Sequence, residues 1–145
     1  MNNESEEFRF DEVVSNKFNV SVKKSTLKNI FNANPKGINK KDRGMATEET
    51  KKRGVYALFL DGILKKIGRA ITGNGIFTRM SQYYRMKEKD GALKYITEEN
   101  KDKIEVWYFN LESNRDCWAA EKYLQAKAYY AGEEMEWDDE VHQDS

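Results

Sequence analysis

At 145 residues the chain can bury one core but not two of comparable size, and with no run of about 18 apolar residues and an acidic start, Met1 to Glu7, neither a membrane span nor a secretory leader is expected. One cysteine, Cys117, allows no internal disulfide, and one histidine, His142, argues against His-based metal sites and a Ser-His-Asp triad, so a soluble protein of a reducing compartment is expected. The zero net charge hides a division: residues 1–16 carry five acids and one base, residues 133–145 seven acids and no base, and residues 17–132 hold 24 basic against 13 acidic side chains, a balance of +11 that attracts polyanions.

Composition predicts three segments: an N-terminal extension with a basic arm over 1–53, a patterned domain over 54–132 and an acidic tail over 133–145. In the first, Phe8, Phe10, Val13 and Val14, then Phe18, Val20 and Val22, form short apolar patches. Ser25 is placed to cap a short helix through Leu27, Ile30 and Phe31, and Asn34-Pro35-Lys36-Gly37 is a turn signal. From Lys36 to Arg53 basic residues follow one another with almost no large apolar side chain, which predicts a linker. Gly54 to Leu60 then reads as a strand, Asp61-Gly62 as a hairpin turn and Ile63 to Ala70 as the returning strand. After the glycine-rich Gly73-Asn74-Gly75, Ile76, Met80, Tyr83 and Tyr84 have helical spacing up to about Lys89. Ile104 to Leu111 predicts a third strand. Ser113 or Asn114 caps a long helix to about Gly132, with Cys117, Ala120, Leu124, Ala128 and Ala131 as its buried stripe. The β-β-α-β-α order implies an α/β (α+β) domain, a small three-stranded sheet flanked by helices, with the basic extension before it.

Four polar residues sit oddly for a scaffold: Tyr56 within an apolar strand, Lys66 in the second strand, Arg79 beside the apolar face of the first helix and Glu121 bordering the stripe of the second. Each has an ordinary structural reading as a core-edge or surface residue, and it is their combination that points to a site.

With Gly54-Val55-Tyr56 on the first strand, Lys66-Ile67-Gly68 on the second, Arg79 on the next helix and Glu121 on the last, residues 54–132 resemble the GIY-YIG nuclease superfamily. The Lys-Ile-Gly form of the second motif is similar to that of phage and bacterial members. The resemblance implies a cytoplasmic DNA endonuclease, of a bacterium or a phage-infected cell, using one Mg²⁺ or Mn²⁺ ion, with RNA as a possible substrate and a monomer or homodimer as the working state. It also implies Tyr56, Lys66, Arg79, Tyr83 and Glu121 as the catalytic set. Tyr83 stands one turn after Arg79, where other members have His. Many members carry an Asn downstream of the Glu; none follows Asn114 here, which leaves Gln125 as a substitute. The alternative is an inactive module of this type binding nucleic acid or protein, for example a phage anti-defence factor.

The chemistry assigns these groups distinct tasks. Phosphodiester hydrolysis needs a base for the attacking water and positive charge on the phosphoryl oxygens. Glu121 is a hard oxygen ligand for one divalent ion, and Arg79 and Tyr83, four apart, can reach one phosphate. Tyr56 is the candidate base, its ordinary pKa of about 10 requiring depression by Lys66 or the ion. A shared site needs Tyr56 and Lys66 on one sheet face; a three-residue loop, Leu60-Asp61-Gly62, would pair them directly, and this bulged turn is expected. Lys40, Lys41, Arg43, Lys51, Lys52, Arg53 and Arg69 are the expected nucleic-acid contacts, positioning phosphates without reading sequence. In the acidic tail, Trp137 could anchor Asp138 and its neighbours over this track; a solvated end is the alternative.

Overall fold

In a computed structural model the described residues are 7–32, 48–86 and 94–138. They comprise α1 (Phe10–Phe18), β1 (Lys23–Thr26), α2 (Leu27–Asn32), a 3-10 turn (Glu48–Lys51), β2 (Gly54–Leu60), β3 (Ile63–Ala70), α3 (Ile76–Arg85), a second 3-10 turn (Lys101–Lys103), β4 (Glu105–Asn110) and α4 (Asn114–Tyr130). The architecture is α+β, with one antiparallel sheet of four strands in the order β1-β4-β2-β3. The fourth strand corrects the expected three. It is Lys23–Thr26, a polar stretch whose strand identity comes from pairing with β4 rather than from its own pattern.

Helices cover both sheet faces. On one face, α2 and α3 bury Leu27, Ile30, Ile76, Met80 and Tyr83 against Tyr56, Leu58 and Val106. On the other, α1 and α4 bury Phe10, Val14, Cys117, Ala120, Leu124 and Ala128 against Val55, Ala57, Ile67 and Phe109. The N-terminal residues 10–32 therefore belong to the same packed body as residues 54–130. Burial also pushes the Cys117 thiol up, so this cysteine packs as a small apolar group.

Caps mark the helix ends. Thr26, not Ser25, caps α2, its Oγ1 accepting from the Asn29 N–H. Ser113 caps α4, its Oγ accepting from the Asp116 N–H at 3.0 Å. α4 ends at a glycine: Gly132 has φ +92°, its N–H reaches the Tyr129 carbonyl, and the Glu133 N–H reaches back to the Ala128 carbonyl. This stop turns the chain toward the sheet edge. From there Glu133–Asp138 form a strap around edge strand β3, with Met135 buried on the α4 face and Trp137 on the α3 face. The Trp137 N–H donates to the Lys65 carbonyl at 2.9 Å and Lys65 pairs with Glu136. The tail's anchor at Trp137 is thus a folded feature; residues 139–145, His142 among them, lie outside the described residues.

Candidate active site

The β2–β3 hairpin sets the site's geometry. Leu60 pairs with Ile63 across a two-residue turn, and Asp61 and Gly62 both take positive φ (54° and 77°), as the twist of a tight hairpin requires. The expected three-residue turn is therefore absent. A bulge further along gives the required face relation: Phe59 pairs with Leu64 and Leu58 with Lys66, leaving Lys65 as the extra residue. Beyond it Tyr56 pairs with Gly68, so Lys66 shares the Tyr56 face without standing opposite it.

Gly68 explains itself sterically. A Cβ there would lie 2.5 Å from the Tyr56 Oη, so the phenol rests on bare backbone. Gly68→Ala is expected to displace the Tyr56 ring and cost about 1–3 kcal/mol, read as a lower urea midpoint, because this core has no slack for the added methyl.

Tyr56 is 1% exposed, and its hydroxyl lies 2.6 Å from that of Tyr83. Burial pushes the Tyr56 phenol well above its ordinary value; the adjacent Tyr83 adds to the rise, Arg79 opposes it, and the Glu121 carboxylate raises it further. These influences put Arg79 and Glu121 in the electrostatic neighbourhood of one phenol. Arg79, one turn before Tyr83 on α3, stands 5.8 Å from the Tyr83 ring centre. The expected depression of the Tyr56 phenol is not found: burial and the neighbouring Tyr83 outweigh the favourable cation beside it, which is Arg79 and not Lys66.

Glu121 comes from the opposite layer. It is 5% exposed on α4, with Oε1 accepting from Arg69 Nη1 at 2.5 Å and Oε2 3.4 Å from Gln125 Nε2. The Gln125 amide also donates to the Ile67 carbonyl on β3, at 2.8 Å, and to Asp138 Oδ2, at 3.0 Å. Lys66 Nζ is 3.8 Å from Asp138 Oδ1. A polar chain from Arg69 through Glu121, Gln125 and Asp138 to Lys66 thus runs along the β3 edge. Asp138 was expected only as part of a tail that Trp137 anchors over the phosphate track; it faces Gln125 and Lys66 instead of the basic cleft.

The donor set bears on a metal ion. Among the described residues no three His, Cys, Asp or Glu side chains converge. Glu121, with one oxygen on Arg69, fits an ion that takes a single protein carboxylate and fills its other positions with water and substrate oxygens.

The expected nucleic-acid contacts divide. Lys51, Lys52 and Arg53 line an open cleft of about 470 Å³ with Gly73 and Gly75, at the start of the helix that carries Arg79 and Tyr83. Glu49 and Glu112 lie in the same wall, and Arg53 donates to the Glu112 carbonyl at 3.2 Å. Arg69 faces Glu121 instead of this cleft. Lys40, Lys41 and Arg43 lie outside the described residues. No helix among the described residues is long and apolar enough to cross a membrane.

No family model matches the chain, and no curated protein matches it. Among solved structures, it is similar to the GIY-YIG N-terminal endonuclease domain of UvrC from Thermotoga maritima. The magnesium-bound form shares 20% identity over 63% of this chain and 94% of that one, at a TM-score of 0.43. Two point mutants of that domain, each bound to its catalytic divalent cation, give 18% and 20% identity, 63% of this chain against 93% and 94% of theirs, and the same TM-score.

Proposed function

We propose that this chain is a metal-dependent endonuclease that hydrolyses phosphodiester bonds in DNA. The observation supporting it is the Tyr56–Tyr83 hydroxyl pair resting on the bare backbone of Gly68, with the Arg79 guanidinium and the Glu121 carboxylate both acting on the Tyr56 phenol. Tyr56 is the base for the attacking water. Arg79 favours the phenolate this requires and, with Tyr83 beside it, meets the phosphoryl oxygens. Lys66 supplies a compact positive charge on the same sheet face. Glu121 would hold one Mg²⁺ or Mn²⁺ ion. When bound, that ion supplies charge against the developing phosphorane and makes water more acidic. The basic wall of Lys51, Lys52 and Arg53 carries flanking phosphates; Lys40, Lys41 and Arg43, outside the described residues, are proposed by their charge as further phosphate contacts, with RNA as an alternative polyanion and a monomer or homodimer as the working unit.

The test is incubation with supercoiled plasmid and Mg²⁺ or Mn²⁺. Nicked or linear product that requires the ion is expected, with a rate that climbs from neutral into alkaline pH because the buried phenol holds its proton at neutrality. An ion-dependent plasmid shift without a nick would refute hydrolysis.

A second reading, a binding module without catalysis, is favoured by one observation: the Glu121 and Lys66 charges are each already met within the protein, by Arg69 and Asp138. The same plasmid experiment separates the two.

A further inference from the structure

Among the described residues, a buried carboxylate beside this site is left unused by the mechanism above. Asp138 has no exposed surface, and it lies between Lys66 Nζ and Gln125 Nε2, the latter also facing Glu121. It is carried by the strap of residues 133–138. The strap is held at three points: Met135 in the core under α4, Trp137 in the core under α3, and the Trp137 N–H on the Lys65 carbonyl. The Trp137 ring is also stacked against Tyr95, with planes 4° apart.

We propose that Asp138 is a permanent member of the candidate site, a positioning residue that holds the Lys66 ammonium toward the Tyr56 face and orients the Gln125 amide that touches Glu121. The inference rests on the nuclease reading of this site.

Three observations carry it. The bulge at Lys65 places Lys66 on the Tyr56 face, yet a lysine side chain has four rotatable bonds, so an anionic partner is needed to localise its charge. Asp138 Oδ1 is the carboxylate oxygen that faces it. Second, the Gln125 amide nitrogen is shared between Asp138, the Ile67 carbonyl and Glu121, so removing the Asp138 charge alters what the amide offers the Glu121 carboxylate. Third, the anchors lie on opposite faces of the sheet. A plug that had to leave before substrate entered would have to draw a methionine and a tryptophan out of two separate cores, which distinguishes a built-in component from an occupant of the phosphate seat.

The experiment compares wild type, Glu121→Ala, Asp138→Asn, Lys66→Met and the double variant Lys66→Met/Asp138→Asn on supercoiled plasmid with Mg²⁺. If wild type makes no nicks, the nuclease reading itself fails. If wild type nicks and Glu121→Ala does not, Asp138→Asn decides the present proposal: kcat falls by about tenfold or more while KM stays level or drops, since a negative charge beside Lys66 has gone. Adding Asp138→Asn to Lys66→Met then costs less than it does alone, the non-additivity expected of residues acting through one another. An unchanged kcat with a lower urea midpoint would make Asp138 a scaffold residue, and a lower KM with a higher kcat would make it a removable plug; either result overturns the proposal. A readout independent of turnover is acetic anhydride labelling of the intact protein, followed by peptide mass spectrometry. Lys66 should be protected in wild type and several-fold faster in Asp138→Asn. Should that variant not fold, labelling of wild type still decides, since a Lys66 as reactive as the surface lysines would overturn the contact.

Discussion

Glu121→Ala is expected to abolish cleavage while leaving nucleic-acid binding within about twofold, measured as plasmid nicking beside a gel-shift titration at one fixed salt concentration. The reason is a separation of tasks. Glu121 is buried under α4, whereas the basic residues Lys51, Lys52 and Arg53 line a cleft at the start of α3. Without the ion, the condition for the gel shift, the carboxylate contributes nothing to phosphate attraction and, by charge, opposes it. Its loss removes the one oxygen ligand proposed for the ion, and with it the charge and the acidified water that the ion supplies. The Ala variant also leaves the Arg69 guanidinium and the Gln125 amide facing a void, so some loss of stability accompanies it. Glu121→Gln keeps the shape and most of the packing. A Gln variant that folds like wild type and fails to nick identifies the charge as the cause. Equal loss of binding and cleavage in both variants would count against the separation.

Trp137→Ala is expected to lower stability by about 3–5 kcal/mol, read from urea denaturation followed by circular dichroism. Trp137 is 4% exposed although it sits in the most acidic stretch of the chain, and its ring packs against Tyr95 under a Lys65 side chain. Truncation removes the ring and also loosens the strap that carries Met135 and Asp138. A loss under about 1 kcal/mol would mean that the strap is not seated in solution.

The place of the hairpin and both long helices were legible from local chemistry, but the length of the turn was not: three residues were expected and two are found. Asp61-Gly62 marks a turn, Ser113 marks the start of α4, and the small-residue stripe has helical spacing from Cys117 to Ala128, whereas Ala131, expected to continue it, is exposed just past the helix end. β1 was not legible, because Lys-Lys-Ser-Thr lacks an apolar alternation and becomes a strand only by pairing with β4. The bulge at Lys65 was equally hidden. Two successive lysines say nothing about register, and the extra residue is tolerated because the β3 edge is met by the strap. Residue types singled out for the site, a phenol in a strand and a carboxylate beside a stripe, were visible as anomalies. The Tyr56–Tyr83 contact depends on the angle at which α3 crosses the sheet, and Asp138 was masked by the composition around it. Seven acids in thirteen residues predict solvation, while Met135 and Trp137, two apart, are what bring this segment to the surface of the sheet.

The strap has a consequence for how copies of this protein meet. A border strand with unpaired amides and carbonyls invites another chain to dock beside it and continue the ladder, the first step toward aggregates. On β3 the outward carbonyls of Lys65 and Ile67 are already taken, by the Trp137 amide and the Gln125 side chain. The opposite border, β1, is only four residues long and opens with the charged Lys23, while its Lys24 is held by Asp11 of α1. Both ends of the ladder are therefore poor templates for self-templated growth, and assembly through strand addition is disfavoured on either side.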